Sequence, residues 1–250
     1  MRVERLHGQE SSTSGRQLMP ASDTRLSEFA ASLFRTVSPN ALSKNMAATA
    51  VRIMRMLAKG RPLSLQQISH ACEIPIEQAG QVVQHFRELG LAELDASGAV
   101  VGMIVSLQPT IHRLRVNDVD LFAWCAIDTL FLPPVLGRPA EVQSVCCGTG
   151  ARVHLNVAPD GVQNLNPASA VVSIVAPGCT PGISAQCGPE LVGSQGAFCG
   201  NVLFFSSPVA ASPWLSRHPG AVILPVAEAF KFARKIWAIP FLASLPEVSA

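Results

Sequence analysis

The sequence predicts an α+β protein, in which an N-terminal winged-helix-like helical module precedes a core of mixed or antiparallel β-sheet with flanking helices. Apolar residues recur at helical spacing in the first half of the chain, whereas the second half has short β-rich runs separated by Pro and Gly. A chain with 48% hydrophobic and 14% charged residues is typical of a well-packed globular protein. This composition excludes a mainly disordered chain.

Three stretches follow one another along the chain. Residues 1–22 are rich in Ser, Gly, Gln and Thr and lack apolar periodicity, which predicts a mobile leader. Residues 23–107 form the helical module and residues 108–250 the α+β domain. Within the module, the pattern predicts four helices and then a hairpin around the turn D-A-S-G. The helices are expected at residues 23–34, 41–59, 64–72 and 75–89. The two hairpin strands are expected at residues 91–94 and 100–107.

The second domain is predicted to contain six strands and two helices. The strands are expected at residues 111–116, 140–146, 151–157, 170–175, 202–206 and 221–226. The helices are expected at residues 119–131 and 226–239.

The order of elements in residues 41–107 is that of a winged helix, whose usual role is DNA binding. The helix that would enter the major groove offers Arg87 and His85 but also carries Glu77 and Glu88, and it has no Lys. Phosphate contacts need Lys and Arg, and the net charge of +2 gives no other reason to expect a nucleic-acid or anionic membrane partner. We therefore expect a packing module, with a metal-sensing winged-helix transcriptional regulator as the alternative.

The cellular compartment is predicted from what the sequence lacks. The most apolar stretch, residues 121–137, is interrupted by Asp128 and by Pro133-Pro134, which argues against a membrane span. The N-terminus has no apolar run of signal-peptide length, so we expect a cytoplasmic protein. Seven cysteines, an odd number with no C-x-x-C pair, predict free thiols rather than a zinc site; they are Cys72, Cys125, Cys146, Cys147, Cys179, Cys187 and Cys199.

The stretch D-L-F-A-W-C-A-I-D-T-L-F-L-P-P, residues 120–134, combines a thiol with a carboxylate. If it is helical, Cys125 and Asp128 share one face. An acid in such apolar surroundings has a raised pKa, which suits it to carrying a proton. The spacing leaves two interpretations open: a catalytic pair, or a buried cysteine that packs as a small hydrophobe while Asp128 caps the chain or bonds Thr129.

A Cys-His-Asp hydrolase is a further interpretation of the same thiol. It needs a histidine close to Cys125 in space, and the candidates are His112, His154 and His218. No hydrolase signature surrounds any of the three, so the sequence does not favour this class.

At W-C-A-I-D-T the sequence resembles the alkylmercury (organomercurial) lyase family, and the resemblance extends over residues 24–237. The matching positions are Phe122 to Thr129, Pro133, Gly137-Arg138, Cys146, Thr149-Gly150, Phe198, Cys199, Val202, Phe204, Phe205, Trp214, His218 and the A-E-A-F element at 227–230. Two positions depart from the pattern: Phe122 stands where an aromatic hydroxyl is common, and Gly200 stands where some relatives have a second cysteine.

The resemblance implies protonolysis of the carbon–mercury bond of alkyl- and arylmercury compounds to a hydrocarbon and Hg(II). It implies that Cys125 and Cys199 bind mercury, with Cys125 most simply first, that Asp128 moves the proton and is a weaker Hg(II) ligand, and that Cys146 is structural. It gives no catalytic role to Cys72, Cys147, Cys179 and Cys187. Three aromatic residues are candidates for the substrate pocket, or for ordinary core packing: Trp124, Phe198 and Trp214.

The same resemblance implies no organic cofactor, because Hg(II) is the bound product. Small cellular thiols are expected to release it, and a mercuric reductase is the expected acceptor. A mercury-binding carrier without turnover is a third interpretation. Such a carrier would keep both thiols but would make Asp128 dispensable.

Overall fold

A computed structural model of the chain describes residues 42–175 and 198–246. The predicted leader and the helix expected at residues 23–34 lie outside these ranges, as do Cys179 and Cys187. Within them, the chain forms an eight-stranded and a three-stranded sheet with helices packed against them. The prediction of an α+β fold is confirmed.

Three amphipathic helices begin the described chain. Ser43 caps the first by accepting the Met46 N–H, and Ser64 and Gln67 form a capping box on the second. Their apolar faces bury side chains such as Met54 and Phe86 in the common core. These helices, all predicted, are α1 (Lys44–Leu57), α2 (Leu65–Cys72) and α3 (Ile76–Glu88).

The large sheet has the strand order β1-β2-β3-β5-β4-β6-β7-β8, and every neighbouring pair is antiparallel. Its strands are β1 (Glu93–Leu94), β2 (Val100–Met103), β3 (Val105–Ser106), β4 (His112–Val116), β5 (Val119–Ala123), β6 (Ala140–Val145), β7 (Arg152–Ala158) and β8 (Gly161–Asn166). Because β3 pairs with β5, the strands of the predicted hairpin and those of the second domain share one sheet.

In the small sheet, β9 (Val171–Ile174) lies between β10 (Phe204–Phe205) and β11 (Val222–Pro225). Strand β10 is shorter than the predicted strand at residues 202–206. The helices that follow α4 (Ala126–Leu136) are α5 (Pro208–Arg217), α6 (Val226–Ala233), a π-helical turn (Arg234–Ala238) and α7 (Ile239–Ser244). The helix predicted at 226–239 therefore continues further. No helix within residues 42–175 and 198–246 is long and apolar enough to cross a bilayer.

The prediction of a helix at residues 119–131 is wrong in its first part. Asn117 and Asp118 have φ values of 47° and 62°, which are typical of a tight hairpin turn. This turn folds β5 back onto β4, so α4 begins only at Ala126. Cys125 therefore lies at a strand-to-helix junction. The turn was missed because the apolar run that follows it fits a buried strand as well as a buried helix.

Strand β8 was also not predicted. It is polar on both faces, with exposed or half-buried side chains throughout, so it lacks the alternation that identifies a half-buried strand. It pairs with β7 and completes the edge of the large sheet.

Candidate functional site

Cys125 is the N-cap residue of α4, with an extended backbone (φ −148°, ψ 172°). Its sulfur accepts the backbone N–H of Asp128, and Asp128 Oδ2 accepts the backbone N–H of Cys125 at 3.0 Å. This reciprocal arrangement is a capping box, in which Ser or Thr and Glu or Gln are the usual partners. The thiol and the carboxylate therefore meet through backbone bonds at the helix start, and not through a shared helix face.

Helix α4 is held at both ends. At its start, the Ala123 carbonyl at the end of β5 accepts a hydrogen bond from Thr110 Oγ1 at 2.6 Å. At its end, Arg55 Nε of α1 donates to the Val135 carbonyl at 3.0 Å, and Gly137 takes the left-handed conformation (φ 67°) that ends the helix. Every residue of the helix is buried, which fixes the capping box against the core.

Cys199 lies in a tight turn that is close to the start of α4. The Asn201 N–H donates to the Phe198 carbonyl at 3.0 Å, and the Val202 N–H donates to the Cys199 carbonyl at 3.1 Å. The Val202 carbonyl in turn accepts the Ala126 N–H at 3.0 Å. One backbone residue thus links the Cys199 turn to the first residue of α4.

The sulfurs of Cys125 and Cys199 and a carboxylate oxygen of Asp128 lie within 4.8 Å of one another. Among the described residues, this is the group of three or more His, Cys, Asp and Glu side chains placed to hold a metal ion. Thiolate sulfur is the ligand that soft metals prefer. The structure therefore brings together the three residues that the motifs singled out.

Burial controls the protonation of Asp128 and Cys125. It raises the pKa of Asp128 from the usual 3.8 to about 7, against hydrogen bonds from the Cys125 side chain and from the Cys125 and Trp124 backbones. It also raises the pKa of Cys125 well above its ordinary value, with Cys199 and Asp128 acting in the same direction. The carboxyl group therefore titrates near neutral pH beside a thiol that keeps its proton.

The two sulfurs are not equivalent. The hydrogen bond between them lowers the pKa of Cys199 and raises that of Cys125, although burial and the Asp128 charge leave the pKa of Cys199 above the ordinary value. Cys199 is half-buried whereas Cys125 is fully buried. Cys199 is thus the more accessible thiol.

Cys146 lies at the end of β6 and does not belong to the cluster of three ligands. Burial raises the pKa of its thiol, but hydrogen bonds from Ser206, Thr149 and the Gly148 N–H outweigh this and lower it overall. The Ser206 N–H lies 3.1 Å from the sulfur. The neighbouring Cys147 N–H donates to the Phe204 carbonyl at 3.1 Å. Cys146 and Cys147 therefore both form hydrogen bonds that hold β10 and the residue after it next to the end of β6.

We expect Cys146→Ser to lower the free energy of unfolding by about 1 kcal/mol, because a shorter hydroxyl reaches the Ser206 N–H less well. Turnover per folded molecule should stay close to that of the wild type. Urea unfolding combined with an assay at equal folded concentration measures both. A variant that is fully stable but inactive would contradict the structural assignment.

The remaining described cysteines have other surroundings. Cys72 is a free, buried thiol in the core of the helical module. Cys147 is disulfide-bonded, so the expectation of free thiols throughout is wrong at that position.

The described histidines do not join the site. His112 is buried against Ser144, with Nδ1 2.8 Å from Oγ, and burial lowers its pKa to about 3. His154 pairs with Glu141 at the surface, and His218 Nδ1 donates to the Trp214 carbonyl at 2.7 Å. The histidine-dependent hydrolase thus has no support in the described residues.

The predicted pocket aromatics lie in two places. Phe198, next to Cys199, is tilted against Trp237 with ring centroids 6.3 Å apart. Trp124 is buried next to Cys125, and its indole Nε1 has no hydrogen-bond partner among the described residues. Trp214 instead packs on Phe205 and stacks on a histidine. Trp237, which the sequence did not single out, also stacks on Phe131 of α4 with ring centroids 5.9 Å apart and so connects Phe198 to that helix.

Similarity to known proteins agrees with this site. The family described as alkylmercury lyase (MerB) matches residues 105–238. The alkylmercury lyase of Staphylococcus epidermidis is 42% identical over 186 residues, which are 74% of this chain and 80% of that protein. That of Bacillus cereus is 38% identical over 182 residues, 73% of this chain and 77% of that protein. The crystal structure of the mercury-bound form of MerB2 has a similar fold, with a TM-score of 0.65 and 22% identity, covering 87% of this chain and 99% of that chain.

Proposed function

The chain belongs to the alkylmercury lyase family, enzymes that cleave carbon–mercury bonds, and we propose that it does so by protonolysis with Cys125, Asp128 and Cys199. The observation that carries the proposal is the convergence of two sulfurs and a carboxylate oxygen within 4.8 Å. Alkyl- and arylmercury compounds are the substrates of this scheme, and a hydrocarbon and Hg(II) are the products.

Cys199 captures the substrate first. It is the more accessible sulfur, because Cys199 is half-buried whereas Cys125 is fully buried. Cys199 releases its proton to solvent, and the thiolate sulfur bonds to mercury as the weakly held anion X⁻ leaves R–Hg–X, which gives R–Hg–S. This order is the reverse of the simplest one implied by the motifs, and it rests on the different surroundings of the two thiols.

Asp128 then activates the second thiol. Its ionised carboxylate takes the proton from Cys125, its capping-box partner, and the Cys125 thiolate joins the mercury. Two sulfur ligands weaken the bond to carbon. Asp128 passes the proton to that carbon, the electron pair of the carbon–mercury bond forms the new C–H bond, and the hydrocarbon leaves.

Hg(II) remains on the two sulfurs, with Asp128 as a third and weaker ligand. Small cellular thiols release it by exchange, and a mercuric reductase is the acceptor that fits the product. The scheme needs no organic cofactor, because the proton comes from Cys125 by way of Asp128. Trp124 and Phe198, which are next to the two cysteines in sequence, are the proposed lining for the organic group, whereas Trp214 packs on Phe205.

Helices α1–α3 with β1–β3 act as a winged-helix-like packing module without a DNA role. The helix in the recognition position, α3, has exposed Glu77 and Glu88 and no lysine. Its Val83 and Phe86 are buried in the core shared with the second domain. These features disfavour the transcriptional regulator. A cytoplasmic location belongs to the same proposal.

The rate of cleavage should depend on the ionisation of Asp128. With a pKa of about 7, the carboxyl group is mostly protonated at lower pH and cannot accept the Cys125 proton. We expect the rate constant for benzene release from the phenylmercury adduct, once Cys199 has captured the substrate, to fall about tenfold per pH unit below about pH 7 and to level off above it. Single-turnover benzene release without added thiol measures this, since it removes the titration of the external thiol. A profile that is flat down to about pH 5 would contradict the role of Asp128.

The function itself is tested with purified protein, phenylmercuric acetate and excess thiol, following benzene by gas chromatography. Benzene over many turnovers from the wild type, and none from Cys125→Ala, is the expected result. Tight mercury binding without benzene would instead indicate a carrier or a sensor, and a DNA-binding assay would separate those two.

A further inference from the structure

Val202 is a backbone bridge between the two segments that carry the sulfurs. Its N–H bonds the Cys199 carbonyl at 3.1 Å, and its carbonyl accepts the N–H of Ala126, the residue after Cys125, at 3.0 Å. A displacement of Val202 therefore moves Cys199 relative to the start of α4. The contacts that fix the position of Val202 therefore also fix the distance between the Cys125 and Cys199 sulfurs.

The hydroxyl of Ser173 holds the residues on both sides of Val202. Ser173 Oγ donates to the Asn201 carbonyl at 2.9 Å and accepts the Leu203 N–H at 2.9 Å. The Ser173 backbone N–H also donates to the Leu203 carbonyl at 2.9 Å. Ser173 is completely buried in β9, whose other residues are all apolar.

The side chain is needed because the backbone ladder ends at this point. Strands β9 and β10 pair Val171 with Phe205 and Val172 with Phe204, after which the chain turns away toward Cys199. The Leu203 N–H is then satisfied by a hydroxyl in place of a carbonyl. On its other edge β9 is paired along its whole length with β11. Loss of the hydroxyl should therefore affect residues 201–203 more than β9 itself.

We propose that Ser173 is a positioning residue for carbon–mercury cleavage, whose hydroxyl holds the Val202 bridge so that Cys199 stays within reach of Cys125 and Asp128. The inference rests on the two-thiol scheme proposed above. Without the hydroxyl, the Leu203 N–H loses its partner and the Cys199 turn is free to shift. A misplacement of about 1 Å in a reacting group can cost on the order of a hundredfold in rate.

The test compares Ser173→Ala with Ser173→Thr, which keeps the hydroxyl. Ser244→Ala is the matched control, because Ser244 is also buried and donates to one carbonyl, that of Phe241 at 2.6 Å, in α7. Kinetic constants for phenylmercuric acetate are measured at a temperature where urea curves show every variant folded. Hg(II) affinity is measured by competition with a chelating dithiol, following the ultraviolet sulfur-to-mercury charge-transfer band.

We expect Ser173→Ala to lower kcat about ten- to a hundredfold with little change in KM, and to weaken Hg(II) binding about tenfold or more. Capture of the substrate by one thiol does not depend on the separation of the two sulfurs, whereas binding of mercury by both thiols does. Ser173→Thr should recover most of both values. Ser244→Ala should match the wild type. If Ser173→Ala does not fold, the isosteric pair Ser173→Thr and Ser173→Val isolates the hydroxyl, and the same difference is expected between them.

Wild-type kcat and Hg(II) affinity in folded Ser173→Ala would overturn the inference, as would equal values in the Thr and Val variants. An equal loss in Ser244→Ala would also overturn it, because the effect would then be general destabilisation. Cys199→Ala is assayed in parallel. If that variant keeps turnover, the two-thiol scheme itself fails; if it is inactive while Ser173→Ala is normal, only the role of Ser173 fails.

Discussion

Alanine at either Cys125 or Cys199 should reduce the turnover of phenylmercuric acetate by about a thousandfold or more. Each variant removes one of the two sulfurs that must hold mercury while the bond to carbon breaks, and no other described cysteine joins the cluster. Multiple-turnover benzene release measures the loss. Substantial activity in either variant would contradict the two-thiol scheme.

The two variants should differ in the capture step. Cys125→Ala retains the half-buried Cys199 and should bind one phenylmercury group rapidly, whereas Cys199→Ala leaves only the fully buried Cys125 sulfur and should bind it slowly. Rapid mixing followed by mass spectrometry of the adduct measures both rates. The double variant corrects for labelling at other thiols, and Cys72→Ala is a matched control for loss of a buried, free cysteine. Faster capture by Cys199→Ala would reverse the proposed order.

Asp128→Asn should retain mercury binding but lose protonolysis, again by about a thousandfold or more. The amide oxygen can still accept the Cys125 N–H, so the capping box survives, but an amide neither accepts nor returns a proton at neutral pH. A variant that binds phenylmercury stoichiometrically without releasing benzene is the expected result. Normal turnover would remove Asp128 from the proton transfer and favour a different acid.

The same substitution should stabilise the protein at alkaline pH. The folded pKa of Asp128, about 7, lies above its ordinary value of 3.8, so the folded state holds this proton over a pH range in which the unfolded chain has released it. Wild-type stability is therefore lost relative to Asp128→Asn as pH rises from about 4 to 7, by about 1.4 kcal/mol per pH unit.

Urea unfolding of both proteins at about pH 5 and pH 8 tests this. The advantage of the asparagine variant should grow by a few kcal/mol between the two values and change little at higher pH. A constant difference would mean that Asp128 is not buried with a raised pKa. The expected result means that the site keeps a destabilising carboxylate because catalysis needs it.

The elements that were predicted correctly are those whose signals are local. Helices α1–α3 combine a helical apolar period with Ser caps or a breaking Gly, and strands such as β7 alternate buried and half-buried residues. The apolar run after Asp118 fits a buried strand as well as a buried helix, so its local pattern does not distinguish the two. Pairing with β4 decided that β5 is a strand. Strand β8 is polar on both faces and has no apolar alternation, so its pairing with β7 is what makes it a strand.

The closeness of Cys125 and Asp128 was also determined by the sequence, because a capping box needs only a three-residue spacing at a helix start. The predicted reason, a shared helix face, was different. The motifs around Cys125 and Cys199 were sufficient to indicate the family. The meeting of Cys199 with that pair was decided only by the tertiary structure, since it depends on the Val202–Ala126 hydrogen bond and on the buried Ser173 hydroxyl. These are contacts between segments distant in the chain, which no local pattern of residues encodes.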